Sequence, residues 1–229
     1  MSNMINNLKI VAGSNSARLG NEAIDSSLDL AQRAAMMTEA ASKLEELFDV
    51  LMIDHRNDHN MRDTPARVAK MFVEEVLSGR FQEPPKITEF ENAAGTEDLI
   101  VTGPIEVRSM CAHHLMPIYG EAYVGVIPSR DGKIIGLSKY DRIVDYFCSR
   151  FQIQEELVKQ ITNFIVETTQ PRGVAVRISA THMCKTHRGV RSTRESRMIT
   201  TSYHGVMEGD RELKQEFQRE CVALARSGD

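Results

Sequence analysis

No run of apolar residues in this 229-residue chain reaches the roughly 18–20 that a helix needs to cross a bilayer, so a helical membrane span is excluded. The first twenty residues have no basic stretch leading into an apolar one. The expectation is therefore a chain without a secretory signal and with a cytoplasmic location. Internal repeats and low-complexity tracts are missing. So is a large excess of either charge: 28 Lys and Arg stand against 32 Asp and Glu, a net charge of −4. Such a chain is no general polyanion binder, and any anionic ligand must be held by a local basic cluster. Cysteine is scarce, with four residues at Cys111, Cys148, Cys184 and Cys221. In a chain of this length without a signal an even count does not imply disulfides, and metal binding, catalysis or packing are the expected uses.

What is present is an ordinary globular composition, 41% hydrophobic and 26% charged. It suits one domain over 39–229 behind an N-terminal extension over 1–38, flexible or helical and rich in Asn, Ser and Gly. Leu44, Leu47, Phe48 and Leu51 make one helical stripe. A second helix starts at Asp63-Thr64-Pro65, with Thr64 as N-cap and Pro65 in the first turn. Its expected buried face is Val68, Met71, Phe72 and Val76, with Gly79 as its stop. After Pro84-Pro85, strands are expected around Ile105–Ser109, over Glu121–Pro128, over Val174–Cys184 and over Arg197–Val206. Between them a helix opens at Gly136-Leu137-Ser138, with a capping box from Ser138 to Asp141 and a stripe of Tyr140, Ile143, Val144 and Phe147. Further helices are expected over Glu155–Thr168 and Glu212–Arg226. The mixture lacks βαβ regularity and reads as α+β with an antiparallel sheet.

The sharpest chemical signal is Cys111-Ala112-His113-His114 together with His182-Met183-Cys184. Cys-x-x-His on a turn lets both side chains reach one ion. On a strand, residues two apart share a face, so His182 and Cys184 are expected to point the same way. Cys111, His114 and Cys184 would then supply three thiolate and imidazole ligands, a set that suits zinc. Three ligands leave a position for water, the pattern of a catalytic site, and zinc lowers the pKa of such a water to about 7. His113 and His182 would flank it as proton carriers. On spacing alone the alternative is a set of buried structural residues. Cys148 and Cys221 sit on helices and are expected to pack.

These residues resemble the type I GTP cyclohydrolases. Cys111 to His114 match the family's CEHH block, and Ala180-Thr181-His182-Met183-Cys184 with Arg188-Gly189 match its second half. Thr64 to Met71 resemble its TPxRvAKM helix, and Gly136-Leu137-Ser138-Lys139 its GLSK segment, followed by Arg142 and the pair Gln154-Glu155. The resemblance runs from about residue 40 to 225.

It implies a tunnelling fold: a four-stranded antiparallel sheet with helices packed on one face, plus N-terminal helices. It implies a homo-oligomer, a decamer of two stacked pentameric rings, with active sites between subunits. The implied reaction is zinc-dependent hydrolysis of GTP to 7,8-dihydroneopterin triphosphate and formate, a first step toward pterins and folates or 7-deazaguanines. By resemblance Cys111, His114 and Cys184 hold the metal, the bound water attacks C8 of guanine, His182 protonates the ring nitrogen and His113 assists. Ser138 lies beside ribose and phosphates. Glu155 accepts from guanine N1–H and the exocyclic amine, and Gln154 adds an amide contact. Lys139, Arg142 and Arg188, with Arg67 and Lys70 from a neighbouring subunit, hold the triphosphate.

The sequence departs from the family at Ala112, where a glutamate is usual, at Phe151, where proline is common, and at His187. Arg188, Arg191, Arg194 and Arg197 recur every third residue, either as a solvated loop or as an enlarged phosphate wall. Two further readings stand beside the lead. One is a divergent enzyme that stops at a formamidopyrimidine or uses another purine triphosphate. The other is a silent oligomeric binding protein, against which His113, His182, Ser138, Lys139 and Arg188 argue. A nucleic-acid partner is not expected, given net acidity and few aromatics near the arginines.

Overall fold

The computed structural model describes residues 24–226, so the expectation for the first residues of the chain lies outside it. The chain divides into two compact units between Glu83 and Pro84. In the first, helix α1 spans Leu30–Val50. It starts earlier than its apolar stripe indicates because Asp29 forms a capping box with Gln32, each side chain bonding the other's backbone N–H at 2.8 Å. Helix α2, Thr64–Lys70, runs into a π-helical stretch, Met71–Val76, and then α3, Ser78–Phe81.

Three local expectations for this segment change. Asp63 occupies the N-cap position and makes no side-chain cap bond, while the Thr64 hydroxyl turns toward Met61 Sδ. The buried line is Pro65, Ala69 and Val73, and Val68, Met71, Phe72 and Val76 are only half-buried. Pro65, Ala69 and Val73 are four residues apart, so close packing follows the small side chains rather than the largest ones. Gly79 lies inside α3, and the chain leaves the helix at extended Gln82, ahead of Pro84-Pro85.

The second unit holds a five-stranded sheet in the order β5-β2-β3-β6-β7. Strands β2 (Ile100–Cys111), β3 (Pro117–Ile127), β6 (Gly173–His182) and β7 (Met198–Gly205) are long and pair antiparallel. They are the four-stranded antiparallel sheet expected of the α+β class. The two residues of β5, Phe151–Gln152, run parallel to Met110 and Cys111 at one edge. A separate ribbon pairs β1, Glu89–Glu91, with β4, Lys133–Ile135.

Alternation decides what each face does. Ile105, Val107, Ala122, Val124, Val126, Val174, Val176 and Ile178 point to one side, against helices α4 (Leu137–Cys148) and α5 (Gln154–Thr169). The predicted stripe of α4 is buried in full. The predicted capping box is not formed: Gly136 is the N-cap, without a side-chain bond, and Ser138 lies within the first turn. Short helices α6, Met183–Thr186, and α7, Val206–Gly209, bracket β7, and α8, Arg211–Arg226, closes the chain. Among the described residues no helix is long and apolar enough to cross a membrane.

Helix α8 covers part of the opposite face, where Tyr123, Ile127 and Ala175 meet Met207, Phe217 and Cys221. The Phe217 ring fits there because Gly125 has no side chain: a Cβ on Gly125 would stand 2.7 Å from Phe217 Cδ2. Phe217→Ala should cost about 3–5 kcal/mol, read as a lower denaturant midpoint. A midpoint unchanged from the parent would mean that α8 adds nothing to the fold.

Candidate active site

The end of the sheet where β2 and β6 finish and β7 begins gathers most of the chemistry. β2 finishes at Cys111, and the turn that follows is closed by Leu115 N–H to Cys111 O at 2.9 Å and Cys111 N–H to Met116 O at 2.8 Å. The turn lifts His113 and His114 off the sheet, both exposed, with ring centroids 6.3 Å apart. Ala112 spends its N–H on Gln152 O, which fixes the turn against β5.

Cys184 reaches this turn by a route the alternation pattern did not give. β6 stops at His182, and Cys184 stands in the single turn of α6 rather than on the strand. The two-residue spacing thus does not place His182 and Cys184 on one strand face. The ligand atoms of Cys111, His114 and Cys184 nonetheless lie within 4.8 Å of one another. Burial pushes the Cys184 thiol up from its ordinary value, and the Cys111 thiol beside it raises it further, while Arg188 works the other way. Two thiols and an imidazole crowded in this manner suit a soft divalent cation, which stabilises both thiolates, and the set is compatible with zinc. Cys148 and Cys221 are not part of this three-residue group; both are buried, with thiols raised chiefly by desolvation to about 12 and about 11, and they pack as expected.

His182 sits half-buried beside the cluster. Its basicity is lowered chiefly by burial, and the Glu155 carboxylate opposes that while Lys185 adds to it. His182 Nε2 lies 2.7 Å from Gln154 Oε1. Gln154 is the correction in this region. It was expected to offer its amide to a base, but it is 1% exposed and its Nε2 bonds Ile178 O, Met198 O and Thr200 Oγ1 at 3.0–3.2 Å. No sequence signal marks that role, because its partners lie 24 to 46 residues further along the chain. Its neighbour Glu155 is exposed and free to meet a ligand.

The remaining expected residues are not in this group. Ser138, Lys139 and Arg142 belong to the N-terminal part of α4. The other end of α4 is the one at the cluster, since Ser109 Oγ donates to Cys148 O at 2.7 Å. About 15 Å of helix separates Ser138 from that end. Lys139 Nζ reaches Lys86 O at 3.3 Å. Arg67 and Lys70 lie in the first unit, exposed, paired with Asp63 and Glu74 one helical turn away. In the arginine row, Arg188, Arg191 and Arg194 are exposed, while Arg197 is drawn to Glu121 at 3.8 Å. Lys185, which bonds Ser196 Oγ at 2.9 Å and accepts from Ser192 N–H through its carbonyl, closes the loop at its base.

Comparison with known proteins gives a consistent result. A family model described as GTP cyclohydrolase I matches residues 40–222. A GTP cyclohydrolase 1 from Wolinella succinogenes is 38% identical over 176 residues, which is 76% of this chain and 91% of its own. One from Carboxydothermus hydrogenoformans is 45% identical over 146 residues, covering 64% of this chain and 74% of its own. A third, from Maricaulis maris, is 40% identical over 168 residues, 72% of this chain and 80% of its own.

Proposed function

This chain belongs to the GTP cyclohydrolase I family, and we propose that it hydrolyses GTP to 7,8-dihydroneopterin triphosphate and formate in a zinc-dependent reaction. The observation that carries the reading is the convergence of Cys111, His114 and Cys184 within 4.8 Å, beside a histidine held in place by a buried amide. These three residues would hold the metal. Zinc at such a site supplies Lewis acidity and a nucleophilic water at neutral pH.

The side chains around it divide the remaining work. Opening the imidazole ring of guanine requires a proton at the departing ring nitrogen. We assign that role to His182, whose half-buried ring stands beside the cluster with its basicity lowered chiefly by burial. His113, exposed on the turn next to the ligand His114, serves as the second proton carrier. Glu155, at the start of α5 and near His182, reads guanine through N1–H and the exocyclic amine. Arg188 reaches the cluster electrostatically and holds phosphate there.

One chain leaves that constellation incomplete. Ser138, Lys139 and Arg142 stand a helix length away from their own Cys111–His114–Cys184 group. They complete the site of a second copy, which makes the working form a homo-oligomer, a decamer in the arrangement implied by the resemblance. Arg67 and Lys70 would join the triphosphate in the same way.

Incubation with GTP, with pterin fluorescence read after oxidation and formate measured in parallel, tests the reaction. Formate without pterin would point to a route that stops short of ring closure, and neither product would overturn the assignment. For Glu155→Gln we expect a loss of about 1–3 kcal/mol, or roughly 5- to 150-fold in kcat/KM, with zinc content unchanged. The amide would turn a donor toward guanine's donors. An unaltered kcat/KM would remove Glu155 as the guanine reader. Site sharing has its own check: Lys139→Ala and Cys184→Ser chains, each impaired alone, should recover activity when co-assembled. No recovery in verified mixed oligomers would place both residues in the site of one copy.

A further inference from the structure

Gln154 is the most constrained polar side chain near the cluster. It is 1% exposed at the first position of α5. Its amide hydrogens are shared among Ile178 O on β6 and Met198 O and Thr200 Oγ1 on β7, and Ile178 and Thr200 are themselves register partners. Two of these partners are backbone carbonyls, which only accept, so the NH₂ must face them and Oε1 must face the other way. The other way is His182, whose Nε2 lies 2.7 Å from Oε1. An amide carbonyl oxygen only accepts, so the hydrogen of this bond sits on Nε2.

We propose that Gln154 is a positioning residue: anchored to two strands, it fixes the ring orientation of His182 and the hydrogen on its Nε2, leaving Nδ1 as the nitrogen that Gln154 does not engage. The inference rests on the reading of His182 as proton carrier. It gives Gln154 no contact with guanine. A side chain that is 1% exposed, with both amide hydrogens engaged in protein bonds, cannot donate to a base without breaking them. It also explains why a glutamine rather than a carboxylate suits this position: a carboxylate would hold the histidine but present oxygen to two carbonyl oxygens.

The test combines kinetics with a direct view of the ring. In the zinc-loaded enzyme, Gln154→Leu is expected to lower kcat about 10–100-fold, as loss of an orienting partner does, with zinc content and the KM for GTP within about threefold of the parent. Made in a His182→Ala background, the same substitution should change kcat by less than about twofold, because its effect travels through His182. A raised KM with kcat kept would restore Gln154 as a guanine contact. Costs that add in the double variant would reduce it to a structural residue, and either result overturns the proposal. Should Gln154→Leu fail to fold, magic-angle-spinning NMR of the parent holoenzyme labelled with 15N-histidine decides alone. The His182 signals, identified by their loss in His182→Ala, should report a hydrogen on Nε2, and a ring whose only hydrogen is on Nδ1 would overturn the proposal. The NMR result does not depend on turnover, so an enzyme inactive on GTP would sink the proposed function and leave this inference still to be judged.

Discussion

Cys184→Ser is expected to strip the protein of its metal and reduce turnover of GTP beneath detection, with the fold retained. A hydroxyl does not ionise near neutrality and is a poor partner for zinc, so two ligands remain where three are needed. The exchange changes shape little, and Cys184 is only half-buried, so packing is not the cause. His114→Ala should behave alike, since its ring nitrogen belongs to the same group of atoms within 4.8 Å. Elemental analysis is the readout: about one zinc per chain in the parent and close to none in either variant. Cys221→Ser serves as the comparison, because that thiol is buried against Phe217 and should leave zinc content where it was. Active, metal-free parent protein would end the zinc assignment.

His182→Ala should fail in a different manner. The zinc stays, because His182 stands outside the three-residue group and is turned toward Gln154 at 2.7 Å. What goes is the proton carrier, a loss that typically costs about 10²–10⁴-fold. Attack on C8 and release of formate make different proton demands, since breaking a C8–N bond needs a protonated leaving nitrogen. Dihydroneopterin triphosphate should therefore fall by that factor, and any ring-opened formamide that still forms should build up or exchange back to GTP, because the second C8–N cleavage has lost the same proton carrier. Zinc analysis and product chromatography on His182→Ala and His114→Ala together check the division of labour. If His182→Ala lost the metal while His114→Ala kept it, ligand and proton carrier would have to be exchanged.

The same residues show where reading along the chain succeeds. Cys111 and His114 are three apart on a turn, so their convergence is a local matter, and the spacing reveals it. The stripe of α4 is equally local, and all of Tyr140, Ile143, Val144 and Phe147 are buried. Cys184 was expected beside Cys111 and His114 as a strand residue, and it does lie beside them, but it leaves the strand and reaches the turn from α6. The start of α1 was legible at Asp29 and Gln32, whose capping box is a short-range pattern, but the apolar stripe drew attention further along.

The chain's own order thus determined the α+β class, the four long strands and the three long helices of the second unit, and the three residues that converge as candidate ligands. Each of these depends on hydrophobic periodicity or on donors a few residues apart. Only the tertiary structure decided that Gln154 serves His182, that α8 closes the opposite face over Gly125, and that Ser138 and Lys139 stand at the wrong end of α4 for their own cluster. In each case the deciding contact joins residues far apart in sequence. Whether a polar group bonds a ligand or its own backbone depends on which acceptors the packed strands bring to it, and spacing along the chain carries no record of that.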